Sequence, residues 1–152
     1  MKYIFLSALM LMPSFGFADT VYRGMDQKRV LFKSFSQLKQ QAYLTQKPQI
    51  SRTEYNDIYQ LKKPLTFLNQ EVMLLSDEYM SEYIGCCVSE GWGAVFKVQN
   101  DYEDLKKYAT DNYCSLETIQ NPSQEDYYGF AYRKLGKGKL VELSCRARDI
   151  QN

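Results

Sequence analysis

The chain contains no histidine. Imidazole is the side chain that titrates most readily near neutral pH. Its absence excludes Ser-His-Asp and Cys-His nucleophile systems, HExxH zinc proteases, and His-ligated haem or copper. An excess of one charge sign is missing too, with 19 Lys and Arg against 18 Asp and Glu. Nucleic acid is therefore not an expected partner, because phosphate contacts need clustered Lys and Arg. A long hydrophobic run is also lacking. The N-terminal stretch Tyr3 to Met12, broken only by Ser7, is too short for a helix crossing a bilayer core of about 30 Å.

That short run has another use. Met1-Lys2 precedes it, Pro13 and Ser14 end it, and Gly16-Phe17-Ala18 places small residues at the −3 and −1 positions before Asp19. This is the layout of a secretory signal peptide over residues 1–18, cleaved between Ala18 and Asp19. No cysteine sits near that bond to carry a lipid, so residues 19–152 are expected to form a single exported domain. It would be periplasmic or secreted, with no membrane anchor after cleavage. Lys2 leaves with the signal, which brings the charge balance to zero. Of the 13 tyrosines only Tyr3 leaves, whereas three of the eight phenylalanines do. A domain of this length buries about two-thirds of its unfolded surface and folds without obligatory staples.

Staples are nevertheless expected. All four cysteines (Cys86, Cys87, Cys114 and Cys145) lie beyond residue 18, and an even count in an exported chain argues for disulfides. A bond between the adjacent Cys86 and Cys87 is disfavoured, since neighbouring Cα atoms lie about 3.8 Å apart and disulfides prefer about 4.4–6.8 Å. On a strand the two side chains would face opposite ways, one reaching Cys114 and the other Cys145. Each such bond is worth about 3–4 kcal/mol in the chain-entropy account. A four-thiolate zinc site or a redox pair would need CxxC spacing, which is absent. No metal or cofactor is implied.

Hydrophobic patterning gives an α+β fold: an N-terminal helical hairpin, then a small antiparallel sheet with one further helix, stapled by disulfides. Leu31, Phe35, Leu38 and Ala42 recur at helical spacing between Val30 and Tyr43. Ser51-Arg52-Thr53-Glu54 reads as a capping box opening a second helix with Tyr55, Ile58 and Tyr59, closed by Pro64. Val72–Leu75, Tyr83–Val88 and Trp92–Val98 read as strands, the last with Trp92, Ala94, Phe96 and Val98 on one face. Asn100 caps a helix running to Asn112 with Leu105, Tyr108 and Ala109 inward, and Cys114-Ser115-Leu116 is extended. Residues 119–126 form an exposed loop. A last hairpin alternates Tyr128, Phe130 and Tyr132, turns at Gly136-Lys137-Gly138, and returns with Val141, Leu143 and Cys145 inward.

Candidate functional residues follow from composition. The tyrosines Tyr79, Tyr83, Tyr127, Tyr128 and Tyr132 cluster around the strands and suit a partner-binding face, since phenols give contact area with a polar handle. Trp92, between two glycines, reads either as an exposed anchor for a partner or as packing on the disulfides. The acids Asp77, Glu78, Glu82 and Glu90 are the densest carboxylate group, though no spacing selects a catalytic pair. Asp101, Asp104 and Asp111 lack calcium-loop spacing. Arg146 and Arg148 with Lys134, Lys137 and Lys139 read either as a site for an acidic partner or, the reading preferred, as a solvated hairpin edge protected by charge. The function expected is a non-catalytic exported module that binds another envelope or secreted protein. An inhibitor or toxin-immunity protein acting by steric occlusion is the class this suggests. A carboxylate hydrolase of the cell envelope and a structural subunit of an envelope assembly are the competing readings.

Overall fold

Two apolar runs, Val72–Leu75 and Trp92–Val98, lie in the middle of a sheet, as their β-branched and aromatic content favours. The computed structural model describes residues 35–53, 55–78, 91–99 and 101–146. Its elements are α1 (Phe35–Gln40), β1 (Ile50–Thr53), β2 (Asn56–Gln60), β3 (Thr66–Phe67), β4 (Gln70–Glu78), β5 (Gly91–Val98), α2 (Glu103–Asp111), β6 (Ser115–Thr118), β7 (Asp126–Tyr127), β8 (Phe130–Ala131) and β9 (Lys139–Arg146), with a 3-10 turn at Tyr132–Leu135. Seven strands form one sheet in the order β1-β2-β4-β5-β9-β6, with β3 pairing β4 off this path. Every pairing is antiparallel. β7 and β8 form a separate two-stranded hairpin.

The sheet buries both of its faces. Odd-numbered residues of β9 (Val141, Leu143 and Cys145) join Tyr59, Leu75, Trp92 and Phe96 beneath Leu38 of α1 and Leu105, Tyr108 and Ala109 of α2. Phe67 fills this helix face, its ring centroid 6.2 Å from Trp92, 5.7 Å from Phe96 and 5.1 Å from Tyr108. On the opposite hairpin face, Ile58, Leu74, Val95 and Leu140 pack under Tyr127, Phe130, Tyr132 and Leu135.

The expected sheet, the inward face of α2 and the alternation of β9 are present. The expected N-terminal helical hairpin is corrected in its second member: residues 50–60 are the strands β1 and β2, not a helix. Ile58 and Tyr59 suggested helical spacing because both are buried, yet they are buried on opposite faces of a sheet covered twice. Tyr55, at a φ of 65°, makes the turn between the two strands. Within the described residues α1 covers only Phe35–Gln40, and Ala42 leaves the helix in the left-handed region with a φ of 59°. Residues 128–132 are not a long strand paired with β9. Residues 128–129 turn between β7 and β8, 130–131 form β8 and Tyr132 opens the 3-10 turn, while β9 inserts between β5 and β6. The N-terminal turn of α2 is held by Asp101, whose Oδ1 accepts the Glu103 N–H at 3.0 Å. The signal peptide over residues 1–18, the strand expected at Tyr83–Val88, and Tyr79, Cys86, Cys87, Asn100 and Arg148 lie outside the described residues.

Candidate functional site

At one end of the sheet the hairpin face turns from apolar to polar. Alternation places Asn56 of β2, Ser76 and Glu78 of β4, Gly93 of β5, and Ser144 and Arg146 of β9 on the same side. Arg146 is 0% exposed. Its Nη1 donates to Ser144 Oγ, and its Nη2 donates to Asn56 Oδ1 at 3.0 Å and to Ser76 Oγ at 2.6 Å. Its Nε lies 2.7 Å from Glu78 Oε2, off the N–H axis, so that contact is Coulombic rather than a linear hydrogen bond. The Tyr128 ring stands over the guanidinium at 5.5 Å. Tyr127 completes the network through a 2.6 Å hydrogen bond between its hydroxyl and Ser76 Oγ. Burial pushes the Tyr127 phenol up to about 12, so it is neutral at physiological pH.

Gly93 makes room for this network. A Cβ there would lie 2.5 Å from Tyr127 Oη, 2.7 Å from Arg146 Nη2 and 2.8 Å from Ser76 Oγ. A buried guanidinium costs several kcal/mol to desolvate, which only a complete set of partners offsets. Here β2, β4 and β9 supply polar partners, and Tyr127 and Tyr128 close over them.

The network changes the reading of several candidates. Arg146 is not part of a solvated edge but the most deeply buried cation of the described residues. Sequence reasoning missed its role, although a signal existed in the even-numbered polar residues of β4 and β9 opposite a glycine. Tyr127 and Tyr132, expected on a binding face, are 1% and 2% exposed and form part of the hairpin-face core. Tyr128 is half-buried against Arg146. Trp92, at 4% exposure, is core rather than a surface anchor, opposite Cys145 in the strand register. Tyr79 and Tyr83 lie outside the described residues, in the segment joining β4 to β5.

Asp77 and Glu78 cannot act as a catalytic pair, because consecutive strand residues point to opposite faces. Glu78 is committed to Arg146. Asp77 lies on the helix face, directly opposite Asp57 in the β2–β4 register. Ser51 Oγ donates to Asp57 at 3.2 Å, and Lys39 of α1 donates to Tyr59 Oη at 3.0 Å. Burial, then repulsion by Asp57, pushes the Asp77 carboxyl up to about 6, against weaker opposition from Lys39 and Arg146. The folded state therefore holds this proton more tightly than the unfolded chain does. The contribution is present in full below the ordinary carboxyl value and lost as pH rises through about 6. For a partly solvated group this is worth about 1–2 kcal/mol. Asp77→Asn is expected to gain that much relative to the unaltered protein between pH 4 and pH 7, read from urea midpoints. A difference that stays flat with pH would show that Asp77 titrates normally.

The cysteine pairing departs from the cross-paired arrangement expected from sequence. Cys114 bonds Cys145, with Cα atoms 4.5 Å apart. The reason is register: Ser115 pairs Ser144, so Cys114 meets Cys145 as the next cross-strand neighbours of β6 and β9. Their spacing is that of a non-hydrogen-bonded antiparallel pair. Neither cysteine is then left to bond Cys86 or Cys87. A formed disulfide fits a non-reducing compartment. Among the described residues, no helix is long and apolar enough to cross a membrane, and no group of three or more Cys, Asp or Glu is placed to hold a metal ion.

Comparison of the chain with protein-family models, with curated proteins and with solved structures finds no match.

Proposed function

We propose that the protein is an exported, non-catalytic module that binds another envelope or secreted protein and acts by steric occlusion, as an inhibitor or immunity protein does. Residues 1–18 serve as the cleaved signal, and the segment joining β4 to β5, with Tyr79 and Tyr83, supplies the contact. The observation that carries this reading is the closure at the base of that segment. Glu78, its last residue in β4, is ion-paired to Arg146, and Arg146 is the register partner of Gly91, where β5 begins. A stem held on both sides lowers the ordering cost of binding. Of the aromatic residues considered for a sheet-face interface, Trp92, Tyr127 and Tyr132 are core and Tyr128 is half-buried against Arg146, which favours a contact off the sheet.

The test uses the full, oxidised mature chain immobilised against envelope extract. Tyr79→Ala and Tyr83→Ala are expected to lose the captured species while keeping the melting temperature. Capture that survives both substitutions, or no captured species at all, overturns the reading. The facing Asp57 and Asp77 favour a second reading, a carboxylate hydrolase of the cell envelope. It requires an activity on glycan or peptide that Asp77→Asn abolishes without unfolding the chain.

A further inference from the structure

Away from that stem, β6 ends the sheet, and among the described residues it pairs only with β9. The direction of its backbone groups follows from one bond. Ile119 N–H donates to Leu140 O at 3.0 Å, and donors alternate along an antiparallel strand. Glu117 and Ser115 therefore also turn their backbone towards β9, while Leu116 and Thr118 turn N–H and C=O outwards. The outward Thr118 carbonyl accepts only an exposed side-chain contact, from Gln120 at 3.3 Å. Beside this edge runs an open groove of about 330 Å³ between β6 and α2, with Ala109, Cys114 and Leu116 on its apolar floor.

One end of the groove is cationic. Lys106 and Lys139 stand over the Tyr102 ring at 4.8 Å and 4.7 Å. Hydrogen bonds from Lys139 and Thr118 hold the Tyr102 hydroxyl below its ordinary phenol value. Lys106 is ion-paired with Glu103 at 2.6 Å, which leaves Lys139 as the cation facing the Thr118 end.

We propose that this edge takes up an extended peptide segment of a partner protein as an added antiparallel strand. An acidic side chain of the peptide meets Lys139, and two residues later an apolar one lies over Leu116 and Ala109. Strand addition supplies main-chain hydrogen bonds, and the alternate side chains supply specificity. A second copy of this chain does not fit as well. The acid in β6 is Glu117, which lies on the hairpin face, away from the lysines, so β6-to-β6 pairing brings no carboxylate to Lys139. The inference does not depend on residues 79–90.

The probe is a displayed library of random extended heptapeptides panned on the full, oxidised chain. An enriched acidic–any–apolar pattern is expected, and a synthetic peptide carrying it should bind at least about tenfold more weakly to Lys139→Glu and to Thr118→Pro. The proline removes an outward donor and no bond to β9, so the sheet is expected to tolerate it at an edge. Unchanged melting temperatures establish that both variants are folded. No enriched pattern, or equal binding by both variants, overturns the proposal. So does a dimer in sedimentation that Thr118→Pro dissolves, which would make the edge a self-association surface.

Discussion

Replacing Arg146 by methionine is expected to lower stability by about 3–5 kcal/mol, the cost of breaking a buried ion pair from one side. The guanidinium is fully buried and reaches Ser144, Asn56, Ser76 and Glu78. Methionine fills much of the volume but leaves the Glu78 carboxylate, at 3% exposure, without the Arg146 charge that faces it. The sharper measurement adds Glu78→Gln to Arg146→Met. Removing the second charge should restore part of the loss, because a carboxylate kept buried after losing the Arg146 charge costs more than the missing attraction. A double variant as unstable as the sum of the two singles would mean that the two side chains are not coupled.

Gly93→Ala is expected to cost about 3–5 kcal/mol, unusual for a single added methyl. Overpacking a tight site takes about 1–3 kcal/mol. Separating polar partners that then stay buried adds about 1–3 kcal/mol for each group left unsatisfied. The added carbon would stand within 3 Å of three polar atoms on three different residues, so no single side chain can yield to accommodate it. Denaturant unfolding of Gly93→Ala against Tyr127→Phe separates the two contributions. The phenylalanine variant removes one hydroxyl without adding bulk and should lose no more than about 1–2 kcal/mol. An alanine variant within 1 kcal/mol of the unaltered protein would show that the site has slack.

The parts of the fold that were legible in the sequence are those with one buried face per element. α2 exposes Lys106 and Lys107 and buries Leu105, Tyr108 and Ala109, so its period is clean. The alternation of Val141, Leu143 and Cys145 and of Trp92, Ala94 and Phe96 is equally plain. The pattern fails where a strand is buried on both sides. Ile58 and Tyr59 then read as a helical stripe, and Tyr128, Phe130 and Tyr132 read as one alternating strand, whereas Phe130 and Tyr132 join Tyr127 in a second layer over the sheet. The charged candidates fared differently. Composition marks Arg146 as surface, since isolated arginines are rarely fully buried. Only register, which brings together residues from strands far apart in sequence, reveals partners such as Asn56, Ser76 and Glu78. Asp77 was visible as an acid, but its neighbour Asp57 was not, because twenty residues and a change of strand separate them.

The position of β9 has a consequence for the order of assembly. The last strand of the described chain is interior, with β5 on one side and β6 on the other, and its Arg146 reaches back 90 positions to Asn56. Until β9 arrives, β6 lacks the strand it pairs with among the described residues and Glu78 lacks its contact with Arg146. Contacts this distant in sequence form late and slow the search for the native state. A nascent chain lacking its final residues would therefore stay open, whatever its first hundred residues have formed. For a chain that is exported and threaded through a membrane before it folds, delayed closure would keep it threadable until translocation is nearly complete.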